Sequence, residues 1–220
     1  MFKSILYTQW KWSRAVVALS VVIAFTLPIM SVQKAGIAEP SRWEAQELLQ
    51  AIQLWSVWYA VLAAGVGLLV ATTAWAADHR GRHVYALSLP VPRWQYAMLR
   101  FAAGALLLAA PLVALWTGAL LATATAHIPP GLNAYPNALA LRFALAAFVA
   151  YSIFFAISAG TTRTAGYVLA VIGALIVAQV MLQASGAWGY GNLAELLFDR
   201  AITWPGPLEI FTGRWMLIDV

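Results

Sequence analysis

The sequence predicts an all-α, polytopic helical membrane protein, and three observations carry that expectation. Of its 220 residues, 63% are apolar and only 10% charged, and the mean hydropathy is +0.78, outside the range of soluble globular domains. Several apolar stretches approach or exceed the roughly 20 residues a helix needs to cross a hydrocarbon core of about 30 Å. Basic residues are distributed asymmetrically between the segments that join them. The same figures exclude a disordered chain or a disulfide-stapled module. With no Cys in the sequence, thiol catalysis, Fe–S clusters and Cys-ligated zinc are also excluded. The formal charge of +5 is no nucleic-acid signal, because no soluble basic domain is there to present it.

The expected elements follow in order. Residues 1–12 place Phe2, Ile5, Leu6 and Trp10 at helical spacing against Lys3, Ser4, Thr8 and Lys11, the pattern of a helix lying in the membrane interface. Five spans are expected, at 15–32, 54–77, 101–126, 143–162 and 164–184. Asp, Glu, Lys and Arg are absent from four of these intervals, and the fourth begins just after Arg142. Pro28 and Pro111 fall inside spans as hinges or kinks, which neighbouring helices can accommodate. Residues 185–220 are expected as an outer-side segment. Its last part, 208–220, carries Glu209, Arg214 and Asp219 and at most forms an incomplete sixth span.

Eight basic residues lie on one side of this layout (Lys3, Lys11, Arg14, Arg80, Arg82, Arg93, Arg100 and Arg163) and five on the other, whereas seven of the eight acids join the second set. Asp78 alone lies with the first. The N-terminus is therefore expected in the cytoplasm. Trp residues gather near both boundaries, Trp75 and Trp94 at the inner one and Trp58 and Trp215 towards the outer one, and are assigned to interfacial anchoring.

The spans contain no ionisable group to carry a coupled ion, and there is no G-x-x-x-x-G-K-[ST] phosphate cradle. Ser and Thr in the spans, with small residues such as Gly67, Gly104 and Gly118, suit close helix packing. Gln179 and Gln183, one turn apart in the fifth span, are the candidates to line a translocation path. His79 and His83 have a ligand-like i, i+4 spacing without an apparent third ligand, so no metal site is expected.

The longest cytoplasmic segment, 78–100, carries the most information. Gly81 opens a short helix to which Val84, Tyr85, Leu87 and Leu89 give an apolar side, and Pro90 ends it. Such a helix can dock a soluble partner in a groove or rest on headgroups. Asp78, Gly81, Leu87-Ser-Leu-Pro90 and Arg93 together resemble the coupling segment of type-2 ATP-binding-cassette (ABC) exporter permeases. Met98 to Gly104 is similar to the start of that family's third span, and residues 1–12 resemble its N-terminal elbow helix.

The resemblance implies a permease subunit that binds no cofactor itself and has no ATPase motif of its own. ATP and Mg would be held by a partner ATPase, and a second permease subunit, identical or different, would complete the path. It implies that Tyr85, Leu87 and Leu89 dock the ATPase, that Gly81 and Pro90 limit the docking helix, and that Asp78 and Arg93 make polar contacts. The expected location is the bacterial inner membrane, with the bilayer as a further partner. The family's sixth span has no convincing counterpart here. A non-transporting structural or assembly subunit of a larger membrane complex is the alternative, and the substrate class stays open.

Overall fold

The computed structural model describes residues 1–34, 45–80, 92–126, 128, 131–159, 208–212 and 215–219, with Tyr167, Val171, Ala174 and Val177 as single helical positions. Its elements are α1 (Phe2–Lys34), α2 (Ala45–Arg80), α3 (Arg93–Leu107), α4 (Ala109–Thr125), β1 (Asn133–Ala134), α5 (Pro136–Ala159), a 3₁₀ turn (Glu209–Phe211) and β2 (Ile218–Asp219). The chain divides into two compact units, Met1–Phe155 with Arg214–Val220, and Ala156–Gly213.

Among the described residues, four helical segments are long and apolar enough to cross a membrane: Phe2–Gln33, Ile52–Ala76, Arg93–Thr125 and Pro136–Ala159. Helices are the form these stretches must take, because in lipid every backbone N–H and C=O needs a partner within the segment. The protein is thus a multi-pass membrane protein built from helices. The fifth expected span, 164–184, and with it Gln179 and Gln183, lies outside the described residues apart from the helical positions Tyr167, Val171, Ala174 and Val177.

Three boundaries differ from the sequence expectation. Residues 1–12 are not a separate interfacial helix, since α1 runs unbroken for 33 residues, through Pro28. The third span begins at Arg93 rather than 101, and α2 continues to Arg80. The expected loop at 78–100 therefore shrinks at both ends, because its flanking charges and aromatics are built into helices. Pro111 does mark an interruption, one turn earlier at Leu108, between α3 and α4. Proline offers no N–H to the carbonyl four residues back, and the Leu108 N–H bifurcates between the Gly104 and Ala105 carbonyls at 3.3 and 3.2 Å. An apolar hollow of about 290 Å³ lies between Leu108 and Leu112 on one side and Phe143 and Phe148 on the other.

In the first unit, α1 packs against α2, α3 and α4. Glycines mark the tightest crossings: a Cβ on Gly67 would stand 2.6 Å from the Ala147 carbonyl oxygen, and one on Gly118 would strike the Phe25 carbonyl. Phe101, Tyr151, Phe155 and Trp75 join α2, α3 and α5 through ring contacts, with centroids 5.2–5.5 Å apart. Most span hydroxyls bond their own helix, as Ser20 to Val16 at 2.8 Å, Thr117 to Val113 at 2.9 Å and Ser152 to Phe148 at 2.8 Å. The Ser31–Tyr59 hydroxyl pair, at 3.0 Å, instead ties α1 to α2.

At the opposite end from the chain's start, β1 and β2 pair antiparallel, Asn133 with Asp219 and Ala134 with Ile218. The Tyr135 N–H extends the pairing to the Leu217 carbonyl at 2.8 Å. Trp215, Leu217 and Ile218 are buried, and the Arg142 guanidinium lies 5.2 Å above the Trp215 ring. Trp215 is therefore a core residue, as is Trp75, and neither is an interfacial anchor; Trp10, Trp58 and Trp94 do stand exposed. In the second unit, the Glu209–Phe211 turn is closed by the Phe211 N–H on the Leu208 carbonyl at 3.0 Å and capped by the Thr212 hydroxyl on the Glu209 carbonyl at 2.9 Å.

Candidate functional site: a buried charge cluster between three helices

Both helices that flank the expected docking segment carry a buried charge, one in the last turn of α2 and one two turns into α3. Asp78 belongs to the last turn of α2, and Arg100 follows Tyr96 by four residues on α3, so both α3 side chains share one face. Arg100 Nη2 lies 2.8 Å from Asp78 Oδ1, and the two side chains are only 6% and 3% exposed. The Tyr96 hydroxyl donates to Asp78, 3.2 Å from Oδ1 and 3.1 Å from Oδ2, and accepts from Arg100 Nε at 2.9 Å. Arg100 Nη1 donates to the Ala74 carbonyl of α2.

A third helix joins this cluster. The Gln9 side-chain amide on α1 donates to the Arg100 carbonyl at 3.3 Å. Around it the guanidinium carbon sits 5.4 Å from the Trp75 ring centre and 5.1 Å from that of Tyr96, within the range of attraction between a cation and an aromatic face. Among the described residues, Gln9 Oε1 and Trp75 Nε1 are buried without a hydrogen-bond partner. Two opposite charges withdrawn from water are tolerated only when paired and hydrogen-bonded, and here each charge has at least two polar contacts. The arrangement fixes the last turn of α2 to Tyr96 and Arg100 of α3, and α3 to α1.

This geometry revises the expected role of Asp78. Its carboxylate is directed into the bundle at Arg100 and Tyr96, where burial withholds it from a soluble partner. Arg93 keeps an outward position: it is the first residue of α3, exposed, and follows Pro92, whose fixed φ suits a helix start. Gly81, Tyr85, Leu87, Leu89 and Pro90 lie outside the described residues. Among the described residues no three His, Asp or Glu side chains gather as a metal site.

Tyr96, Arg100 and Gln9 are additions that sequence reasoning passed over. Their signal was an aromatic and a basic residue one turn apart at a span entrance, with a lone acid at the preceding span's exit. No family model, curated protein or solved structure matches this chain.

Proposed function

We propose that the protein is the permease subunit of an ABC exporter, driven by a separate ATPase that docks on residues 81–93. The observation that carries this reading is the Asp78–Arg100 pair, which clamps the two roots of that segment together and to α1. A coupling segment must pass a push to the spans. Roots held by a buried ion pair move as one body, whereas roots held by exposed charges would yield separately. On the partner ATPase, ATP and Mg would supply the energy, and a second permease subunit would face this one across the path. The bacterial inner membrane is the proposed location.

The orientation follows from the same reading. With the N-terminus in the cytoplasm, α1, α2 and the α3–α4 span bring the chain outside by β1, and β2 is paired with β1. Residues 215–219 then lie outside. Alkaline phosphatase fused after Val220 is expected to be active and a green fluorescent protein fused there dark; the reverse pattern would refute this orientation.

The docking role is tested by purifying the tagged chain from its native membrane in mild detergent beside a Leu87→Asp variant. An ATPase is expected with the parent and lost from the variant, with membrane insertion unchanged. Equal recovery from both would remove the docking role of Leu87. Recovery of other membrane subunits without an ATPase would favour a non-transporting structural subunit. That second reading draws on the span hydroxyls, which are spent on their own helices and leave little polar lining among the described residues.

A further inference from the structure

The first four turns of α1 have two unlike faces. Ile5, Gln9 and Ser13, at i, i+4 and i+8, are buried against the bundle, and Gln9 is bonded to α3. On the exposed side, Lys3, Tyr7, Trp10 and Arg14 follow one another at steps of four, three and four residues, which at about 100° per residue keeps them in one narrow stripe. All four are exposed, Tyr7 by 69% and Trp10 by 46%. The stripe thus reads cation, aromatic, aromatic, cation and spans about 16 Å along the helix.

Nothing within the described chain neutralises it. Lys3, Lys11, Arg14 and Arg93 make no ion pair or side-chain hydrogen bond among the described residues. The one acid in the described part of this end, Asp78, is taken up by Arg100. Helix length adds a second argument. At 33 residues, α1 is about 50 Å long, some 20 Å more than a hydrocarbon core needs. Its first turns continue the same unbroken helix and are tied to α3 by the Gln9 contact, so the surplus length is available to carry the stripe beyond the hydrocarbon core. On α3, Arg93 and Trp94, both exposed, precede Arg100 by about the interval that separates Lys3 from Gln9, which sets a further cation and indole at that level.

We infer that the Lys3–Tyr7–Trp10–Arg14 stripe is a binding surface for anionic phospholipid headgroups of the inner leaflet. The cations attract the phosphodiester charge, and the rings occupy the boundary between headgroup and acyl chain that Trp and Tyr prefer. An acidic protein surface would satisfy the cations but gives the two exposed rings no comparable partner, whereas the headgroup boundary suits both. The inference requires that α1 crosses the membrane and, for the choice of leaflet, rests on the cytoplasmic N-terminus proposed above; it does not need the exporter role.

The test is electron spin resonance of the purified chain in phosphatidylcholine bilayers doped with spin-labelled phosphatidylglycerol or spin-labelled phosphatidylcholine. The parent is expected to immobilise the anionic probe preferentially, and to lose that preference in 0.5 M NaCl. A Lys3→Gln/Arg14→Gln variant is expected to lose up to about fivefold in relative association per cation at low ionic strength, while Lys3→Arg/Arg14→Lys retains it. Circular dichroism of each variant checks the helix. An unchanged preference in the Gln variant would overturn the assignment to this stripe. A parent with no preference, or one insensitive to salt, would overturn anionic-lipid binding and leave an acidic protein as the stripe's occupant.

Discussion

Replacing Arg100 with methionine is expected to destabilise the folded bundle by about 3–5 kcal/mol, because it strands a carboxylate inside the protein. Asp78 is only 4% exposed, so water cannot take the place of the guanidinium. The remaining donor, the Tyr96 hydroxyl at 3.1–3.2 Å, is too little to hold a buried negative charge. The pair and its parts are expected to behave differently: Asp78→Leu/Arg100→Met removes both charges and should recover most of the loss, as buried ion pairs exchanged for apolar groups of similar volume commonly do. Tyr96→Phe removes a hydroxyl shared by both partners and is expected to cost less, about 1–3 kcal/mol. Unfolding of the purified variants by increasing dodecyl sulfate in mixed micelles would measure all three. An Arg100→Met protein as stable as the parent, or a double variant no better than the single one, would contradict the cluster's structural role.

The second large effect is expected where helices touch backbone to backbone. Gly67→Ala sets a methyl group 2.6 Å from the Ala147 oxygen and 2.7 Å from the Tyr151 nitrogen. Both are backbone atoms of α5 and cannot turn aside as a side chain would. Gly118→Ala meets the Phe25 carbonyl of α1 in the same way. Each substitution is expected to cost about 1–3 kcal/mol through separation of the helices, and Leu at either position more. Gly65, two residues from Gly67, has nothing within 4 Å of its would-be Cβ, so Gly65→Ala is the internal control. It is expected to be neutral or slightly stabilising, given alanine's better helix propensity. In the same unfolding assay, equal responses at 65 and 67 would show that helix contact is not what glycine provides here.

Much of the architecture was legible because an apolar stretch of some 20 residues has few options in lipid. The described helices cover most of four of the expected spans and begin ahead of them, as at Ala45–Arg80 against 54–77 and at Pro136 against 143, while 160–162 and most of 164–184 lie outside the described residues. Hydropathy marks where a helix meets hydrocarbon, while backbone hydrogen bonding carries it on past that point. Charge logic failed in a specific way at Asp78 and Arg100. A lone acid and a lone base at span ends suggest solvated flanks, and only their meeting across two helices, 22 residues apart, turns them into a neutral interior unit. Trp215 was misjudged for a related reason. Its neighbours in sequence are polar enough to suggest a surface, but β1 and Arg142, far away in the chain, supply the cover. A two-residue strand pairing has no periodicity to announce it.

The β1–β2 pairing also bears on how the protein is made. Asn133 finds its partner only in Asp219, so the pair cannot form while the ribosome is still translating the residues between them. Until then Tyr135 and Arg142 lack the Leu217 carbonyl and the Trp215 ring that they meet in the finished protein. Sealing of this end therefore waits for residues 215–219, and slow synthesis near residue 215 would prolong the exposure of nascent chains to proteases on that side of the bilayer.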